Sequence, residues 1–488
     1  MNDIRSPSKE KAIDDFREFT AFWKIPDRLV SQGASHERKD GEEIAPNRFY
    51  LQSVNPAGRQ PPMFYTWQGI HLFTTLASSK AGASSGDDPV YDLNGKAVGA
   101  VTYEEGQNTL TLPFHFDTAI WNLRLEKYVR GEATQPAEDL GRRLYYSIKP
   151  AMPRPLRLMM RKTLKEPMAK RSFPAWPVDT SVEQLQFGLL RTLLEARPGT
   201  ALPVLSFWPG GEDCCLVLTH DVETQQGVNH MDQVIEVERE CGVRSSWNFV
   251  PKDYYVDPQI FERLRTDGFE IGVHGLYHNG KLFQSREMFL RQVVEINRYI
   301  HQWGAAGFRS PSLLRNLDWI SESIDIDYDT SCPASEWYGA QPGGCGTVFP
   351  FMKNRLVELP ITLQQDHTLL EVLDFSPEKM VEHWLATIQK IKQVHGMILL
   401  NSHPDYLVDH KRLQAYRNFL TIITQEKNCW RALPREVAKW WRVRQDSSLD
   451  YENQQWVIKG PDTSLGKVMT VNLADDHQPY PITFQPLF

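Results

Sequence analysis

Residues 214–223 read CCLVLTHDVE. A short apolar run, 214–219, reads as a strand and stops at polar, chemistry-bearing residues: His220, Asp221 and Glu223. The pattern repeats along the chain. Further apolar strands fit 245–250, 269–273, 307–309, 326–328, 356–359 and 397–401. Helix-length amphipathic segments fit 259–266, 285–303, 377–394, 411–425 and 434–444. Alternating strands and helices predict a parallel sheet or a barrel. In either, reactive side chains collect at the C-terminal ends of the strands.

Four such exits carry candidate chemistry. The first is Asp221-Val222-Glu223, two carboxylates that can enter one pocket, one taking a proton and the other holding a metal. The second is His274-Gly275-Leu276-Tyr277-His278 after FEIGV; on a helical turn, i and i+4 share a face, so both imidazoles can bind one cation. The third is Arg309-Ser310-Pro311-Ser312, where a guanidinium can orient a carboxylate. The fourth is Asn401-Ser402-His403-Pro404-Asp405 after MILL, and a histidine there suits a general acid.

Taken singly, each has a bland explanation. Acids after strands cap helices, arginines sit in surface loops, and a histidine ring can cap the next helix. With 14 histidines in 488 residues, chance alone supplies about 0.4 HxxxH pairs. The ordered set is far more specific than its parts.

That ordered set resembles the polysaccharide deacetylase (NodB-homology) family of carbohydrate esterases, over about residues 205–445. SerSerTrpAsnPheVal at 245–250 also looks like the family's second strand. The resemblance implies an α/β fold, a distorted (β/α) barrel with a divalent metal. It assigns Asp221 as base, and Glu223, His274 and His278 as metal ligands. Arg309 would hold Asp221, the backbone N–H of Ser312 would bind an oxyanion, and His403 would be the acid. Asp366, in LQQD, would orient His403. Zinc is the first expectation, and a set of two imidazoles and one carboxylate also accepts iron, cobalt or nickel. The implied reaction removes an N-acetyl group from an amino-sugar-containing substrate, an N-acetylated sugar or glycan.

Three positions depart from the family pattern. Asp-Val-Glu replaces an adjacent Asp pair, Gly275 replaces Ser or Thr, and Ser312 replaces an aromatic residue. They keep two rivals in view: a hydrolase of the same fold acting on a non-sugar C–N bond such as an imide, and a non-catalytic glycan-binding protein. Aromatics such as Trp337 and Tyr338 lining subsites would favour sugar.

The chain's 488 residues predict two or three domains. Apolar residues make up 41% and charged residues 24%, a globular balance. A net charge of −7 gives no reason to expect nucleic acid or an anionic membrane as partner. The six cysteines form no CxxC pair, which points to reduced thiols. MNDIRSPSKEKAIDDFREF is charged where a signal peptide is apolar, and no apolar run reaches the ~18 residues of a membrane span, so a cytoplasmic protein is expected.

Outside the barrel, residues 1–140 read as an N-terminal α+β accessory domain. They contain an amphipathic stretch at 16–23, a hairpin turning at Asn94-Gly95, a strand at 109–112 and a helix at 117–128 capped by Asp117 or Thr118. Residues 141–204 read as a basic, helical connector: 142–171 hold ten Lys/Arg and one acid, with Leu156, Met160 and Leu164 at helical spacing. Residues 446–488 read as a C-terminal β extension with strands at 456–459 and 467–472. The segment 333–351, with Gly343-Gly344, needs a special backbone path or a close approach, as one wall of the pocket or as a plain loop.

Overall fold

A computed structural model of the chain describes residues 15–32, 48–54, 61–77, 88–130, 173–473 and 482–486. The basic stretch 142–171, with its expected helix, lies outside these residues. Among the described residues, no helix is long and apolar enough to cross a membrane.

The second half of the chain is built on a nine-stranded sheet. Its parallel strands are β9 (Cys214–Val222), β10 (Ser246–Phe249), β11 (Glu270–Val273), β12 (Gly307–Phe308), β13 (Tyr328–Asp329) and β15 (Leu356–Glu358), side by side in that order. β16 (Met397–Ser402) returns to the free side of β9, and β14 (Phe351–Lys353) pairs antiparallel with β15. β17 (Cys429–Arg431) pairs with the first residues of β9. All nine residues of β9 and all six of β16 are buried, as a sheet covered on both faces requires. The chain leaving β15 closes the ring. Thr362 N and Leu363 N both donate to the Leu399 carbonyl of β16, at 3.2 and 3.1 Å. The result is a distorted (β/α) barrel.

The barrel helices have definite ends. Asp257, Ser285, Ser376 and Asp409 cap Pro258–Thr266, Arg286–Trp303, Pro377–Lys392 and His410–Ile423, each accepting a first-turn N–H. The structure adds helices at Gln225–Glu240 and Leu317–Ser323, which periodicity had not picked out.

The N-terminal unit is a seven-stranded sheet in the order β1 (Val30–Gln32), β2 (Phe49–Ser53), β7 (Thr109–Leu112), β6 (Ala97–Glu104), β5 (Asp88–Asp92), β3 (Met63–Trp67), β4 (Ile70–Thr74). The turn at Asn94-Gly95 joins β5 to β6: Asp92 accepts the N–H groups of Asn94 and Lys96, and Gly95 takes φ +76°. The expected helix at 117–128 is instead Phe116–Arg124 followed by a break at Glu126, φ +52°, and a short turn Lys127–Arg130. Asp117 does not cap its own helix. Its carboxylate accepts the N–H groups of Arg17 and Glu18 at 3.0 and 3.1 Å, capping helix Arg17–Trp23 instead.

Several buried polar contacts join this unit to the barrel. Arg315, 4% exposed, forms a two-point ion pair with Glu126. Tyr128 donates to the Gly344 carbonyl at 2.7 Å. Arg444 has no acid partner among the described residues and gives its N–H groups to the carbonyls of Ala21, Phe22, Leu205 and Ser206. Helix Ser181–Ala196, buried along most of its length, lies at the same junction: the Trp23 indole donates to Gln186 O, and Glu183 accepts from Thr347. β8 (Leu202–Leu205) pairs with β20 (Val468–Leu473), which pairs with β21 (Ile482–Pro486), and β18 (Ser448–Glu452) with β19 (Gln455–Lys459) forms a hairpin.

The Gly343-Gly344 segment faces this junction. Gly343 has φ +141°, and a Cβ on Gly344 would overlap the Ala334 carbonyl. Trp337 offers little surface to a ligand. It is 8% exposed, packs between Trp176 and Tyr338, and donates to Pro174 O at 2.9 Å.

Candidate metal centre and active site

Register brings the four exits to one end of the barrel. Asp221 lies opposite Asn248, Asn248 opposite Gly272, and Gly272 opposite Gly307; on the other side, Thr219 lies opposite Asn401. His274, Arg309 and His403 each follow directly on the last residue of a strand.

Arg309 is fully buried and reaches across the barrel. Its Nε donates to Thr330 O at 3.1 Å, and one Nη to Thr219 Oγ1 at 2.9 Å. The other Nη donates to Asp221 Oδ1 at 3.0 Å and to Asn401 Oδ1. Asp221 also accepts from Asn248 Nδ2 at 2.9 Å and Asn401 Nδ2 at 2.7 Å. Burial works against the Asp221 anion. Arg309, His274, His403 and the Asn248 bond together outweigh it, so the carboxyl titrates well below the usual carboxylate range.

Glu223, His274 and His278 bring one ligand atom each within 4.8 Å of one another. His278 Nε2 is 3.0 Å from Glu223 Oε1. His274 Nδ1 is 3.0 Å from the Arg309 carbonyl, an acceptor, so that nitrogen carries the proton. His274 Nε2 then offers a lone pair, and it is buried with no hydrogen-bond partner. Burial pushes His274 down to about 4, so it is neutral near pH 7. Burial opposes the Glu223 anion too, yet His278 holds it well below the usual range. An orphaned buried nitrogen, a second imidazole and an ionised carboxylate at this spacing fit a divalent cation.

His403 sits opposite this group. Its Nε2 is 3.9 Å from Asp221 Oδ2 and 3.8 Å from Glu223 Oε1. Asp366 Oδ1 is 2.6 Å from its Nδ1, and Asp366 Oδ2 accepts its backbone N–H at 2.8 Å. Burial alone would lower the imidazole. Asp366, Glu223 and Asp221 together outweigh it, Asp366 contributing most, and push His403 up to about 10.

Ser312 and Leu313 both have positive φ, +58° and +51°, in the tight turn Pro311–Leu313 after Arg309. Consecutive left-handed non-glycine residues cost roughly 1–3 kcal/mol each and gather at functional sites. The same turn accounts for Gly275. Its φ is +67°, and a Cβ there would lie 2.6 Å from the Pro311 ring.

All eight site residues expected from sequence therefore lie at one end of the barrel. Asn248, Asn401 and Thr219 also belong to the Asp221 network and were not anticipated. The available signal was a polar residue inside an otherwise apolar strand, which implies a buried partner.

No family model matches the chain, and no curated protein matches it. Among solved structures it is similar to a protein of Mycobacterium smegmatis described as a polysaccharide deacetylase, at 19% identity and TM-score 0.41, covering 49% of this chain and 93% of that one. A protein of Pseudomonas aeruginosa with the same description is similar at 13% identity and TM-score 0.42, covering 48% and 93%. So is the PuuE allantoinase, at 13% identity and TM-score 0.42, covering 48% and 92%.

Proposed function

We propose that the chain is a metal-dependent hydrolase that removes an N-acetyl group from an amino-sugar-containing substrate. One observation carries the reading: the buried, unpartnered His274 Nε2 stands with Glu223 and His278, and Asp221 and His403 stand beside them. Glu223, His274 and His278 would hold the cation. When bound, it supplies a Lewis acid that acidifies a water and polarises the acyl carbonyl.

The chain's own groups do the rest. Asp221 takes the proton of the attacking water at a carboxylate oxygen. Arg309, Asn248 and Asn401 fix that carboxylate, so it needs no reorganisation in the reaction. A carboxylate held this far below its usual range is a weak base, and it suits a water that is already acidified. The Ser312 N–H supports the oxyanion, an effect worth roughly 3 kcal/mol per donor. His403 Nε2 passes its proton to the departing amine, and Asp366 keeps that proton available at neutral pH.

The test is metal content together with acetate release from a panel of N-acetyl sugars, sugar nucleotides and glycans. About one divalent ion per chain and acetate release abolished by Asp221→Asn are expected. Metal bound without turnover across the panel would favour a glycan-binding protein. Turnover of cyclic imides alone would favour the non-sugar C–N hydrolase.

A further inference from the structure

Glu223 and His403 leave neighbouring strands, β9 and β16, and one carboxylate joins the two exits. Asp405 lies two residues past His403, in a turn where Tyr406 N and Leu407 N both donate to His403 O. Its Oδ2 accepts the backbone N–H of Glu223 at 3.0 Å. Its Oδ1 accepts the Gly227 N–H at 3.2 Å and the Thr224 hydroxyl. Thr224 is itself the N-cap of helix Gln225–Glu240, accepting from Gln226 N at 3.1 Å. Gly227 leaves room for this carboxylate, because a Cβ there would overlap it.

An ordinary helix cap satisfies first-turn donors of its own helix. Thr224 already does so. Asp405 comes from the turn after β16, and one of its oxygens serves a peptide group outside the helix, that of Glu223. The backbone at Glu223 is thereby fixed against β16 rather than left to the end of β9. A carboxylate at this helix N-terminus also complements the helix dipole.

We infer that Asp405 is a positioning residue for the metal centre. By clamping the Glu223 peptide to the β16 turn, it sets where the Glu223 carboxylate stands against His278 and His274. The inference rests on the proposed metal role of Glu223, His274 and His278.

The test uses the full chain. Zn2+ affinity is measured by competition with a chromophoric chelator. The Co2+ absorption spectrum reports ligand geometry, and thermal unfolding of the metal-free protein reports general stability. Asp405→Ala should weaken Zn2+ binding roughly 10- to 100-fold, the usual effect of removing a group that orients a ligand, and should change the Co2+ spectrum. Asp405→Asn keeps the size and one acceptor oxygen, and should lose less.

Asp409→Ala is the control. Asp409 caps the next helix through Lys411 N and Arg412 N, so its loss should lower the unfolding temperature without changing Zn2+ affinity. Wild-type affinity and spectrum in Asp405→Ala would overturn the clamp. So would an equal affinity loss in Asp409→Ala, since general loosening would then explain both. If Asp405→Ala does not fold, Asp405→Asn decides: weakened binding supports the clamp and unchanged binding overturns it. A wild-type chain that binds neither Zn2+ nor Co2+ overturns the metal centre itself, which is distinct from wild-type binding with an indifferent Asp405 variant.

Discussion

Asp366 holds His403 at two points, its Oδ1 2.6 Å from the ring Nδ1 and its Oδ2 accepting the backbone N–H at 2.8 Å. Asp366 thus fixes the ring orientation and contributes most of what keeps the ring charged. In the metal-free protein, His403 should stay protonated through neutrality and titrate near 10. A histidine raised in the folded state contributes stability that is fully present below its unfolded value of about 6.5 and lost as pH rises through 10. Asp366→Asn should therefore lower stability more at pH 6 than above pH 10. Histidine NMR titration and denaturant midpoints check both statements. A wild-type His403 titrating near 6.5 would remove the premise.

The same proton separates amide from ester chemistry. A departing amine must be protonated as the C–N bond breaks, whereas an activated aryl ester departs unassisted. His403→Ala should cut amide hydrolysis far more than ester hydrolysis, with metal content unchanged. Equal slowing of both would make His403 a positioning or oxyanion group.

His274→Ala combined with His278→Ala should abolish stoichiometric metal, because two of three ligands are gone. Since burial pushes His274 down to about 4, this ligand stays available as pH falls through 6 and is protonated only near 4. Metal analysis by mass spectrometry after dialysis across pH 4–7 is the measurement. Full retention in the double variant would sink the ligand assignment.

Asp221→Asn keeps volume but removes a base and the charge facing Arg309. Turnover should fall about 10²–10⁴-fold while metal stays bound. Stability should fall as well, because breaking a buried pair costs about 3–5 kcal/mol by leaving the other charge uncompensated. Unchanged kcat would shift the base role to Glu223.

The Glu126–Arg315 pair joins the N-terminal unit to the barrel. Glu126→Ala should cost about 3–5 kcal/mol in denaturant unfolding, and Glu126→Leu with Arg315→Met should recover much of it. A 200–488 fragment contains every proposed ligand and should bind metal. It should unfold at a lower temperature than the full chain, since Arg315 loses its only acid partner among the described residues. A fragment as stable as the full chain would show that the pair contributes little.

What the sequence determined by itself was local. Short apolar runs ending in polar groups marked strand positions, because burial on both faces leaves no room for alternation. The eight candidate residues were legible as candidates because each stands near such an ending or in a recognisable motif. Which of these residues meet was not legible in the sequence. Asp117 caps a helix about 100 residues earlier in the chain, Arg309 spans the barrel to Thr219 and Asn401, and Asn248 lies over a glycine on the adjacent strand. A local signal depends on the few residues around it. These partnerships depend on strand register and on the curl that returns β16 to β9, and both are set by the packing of the whole sheet at once.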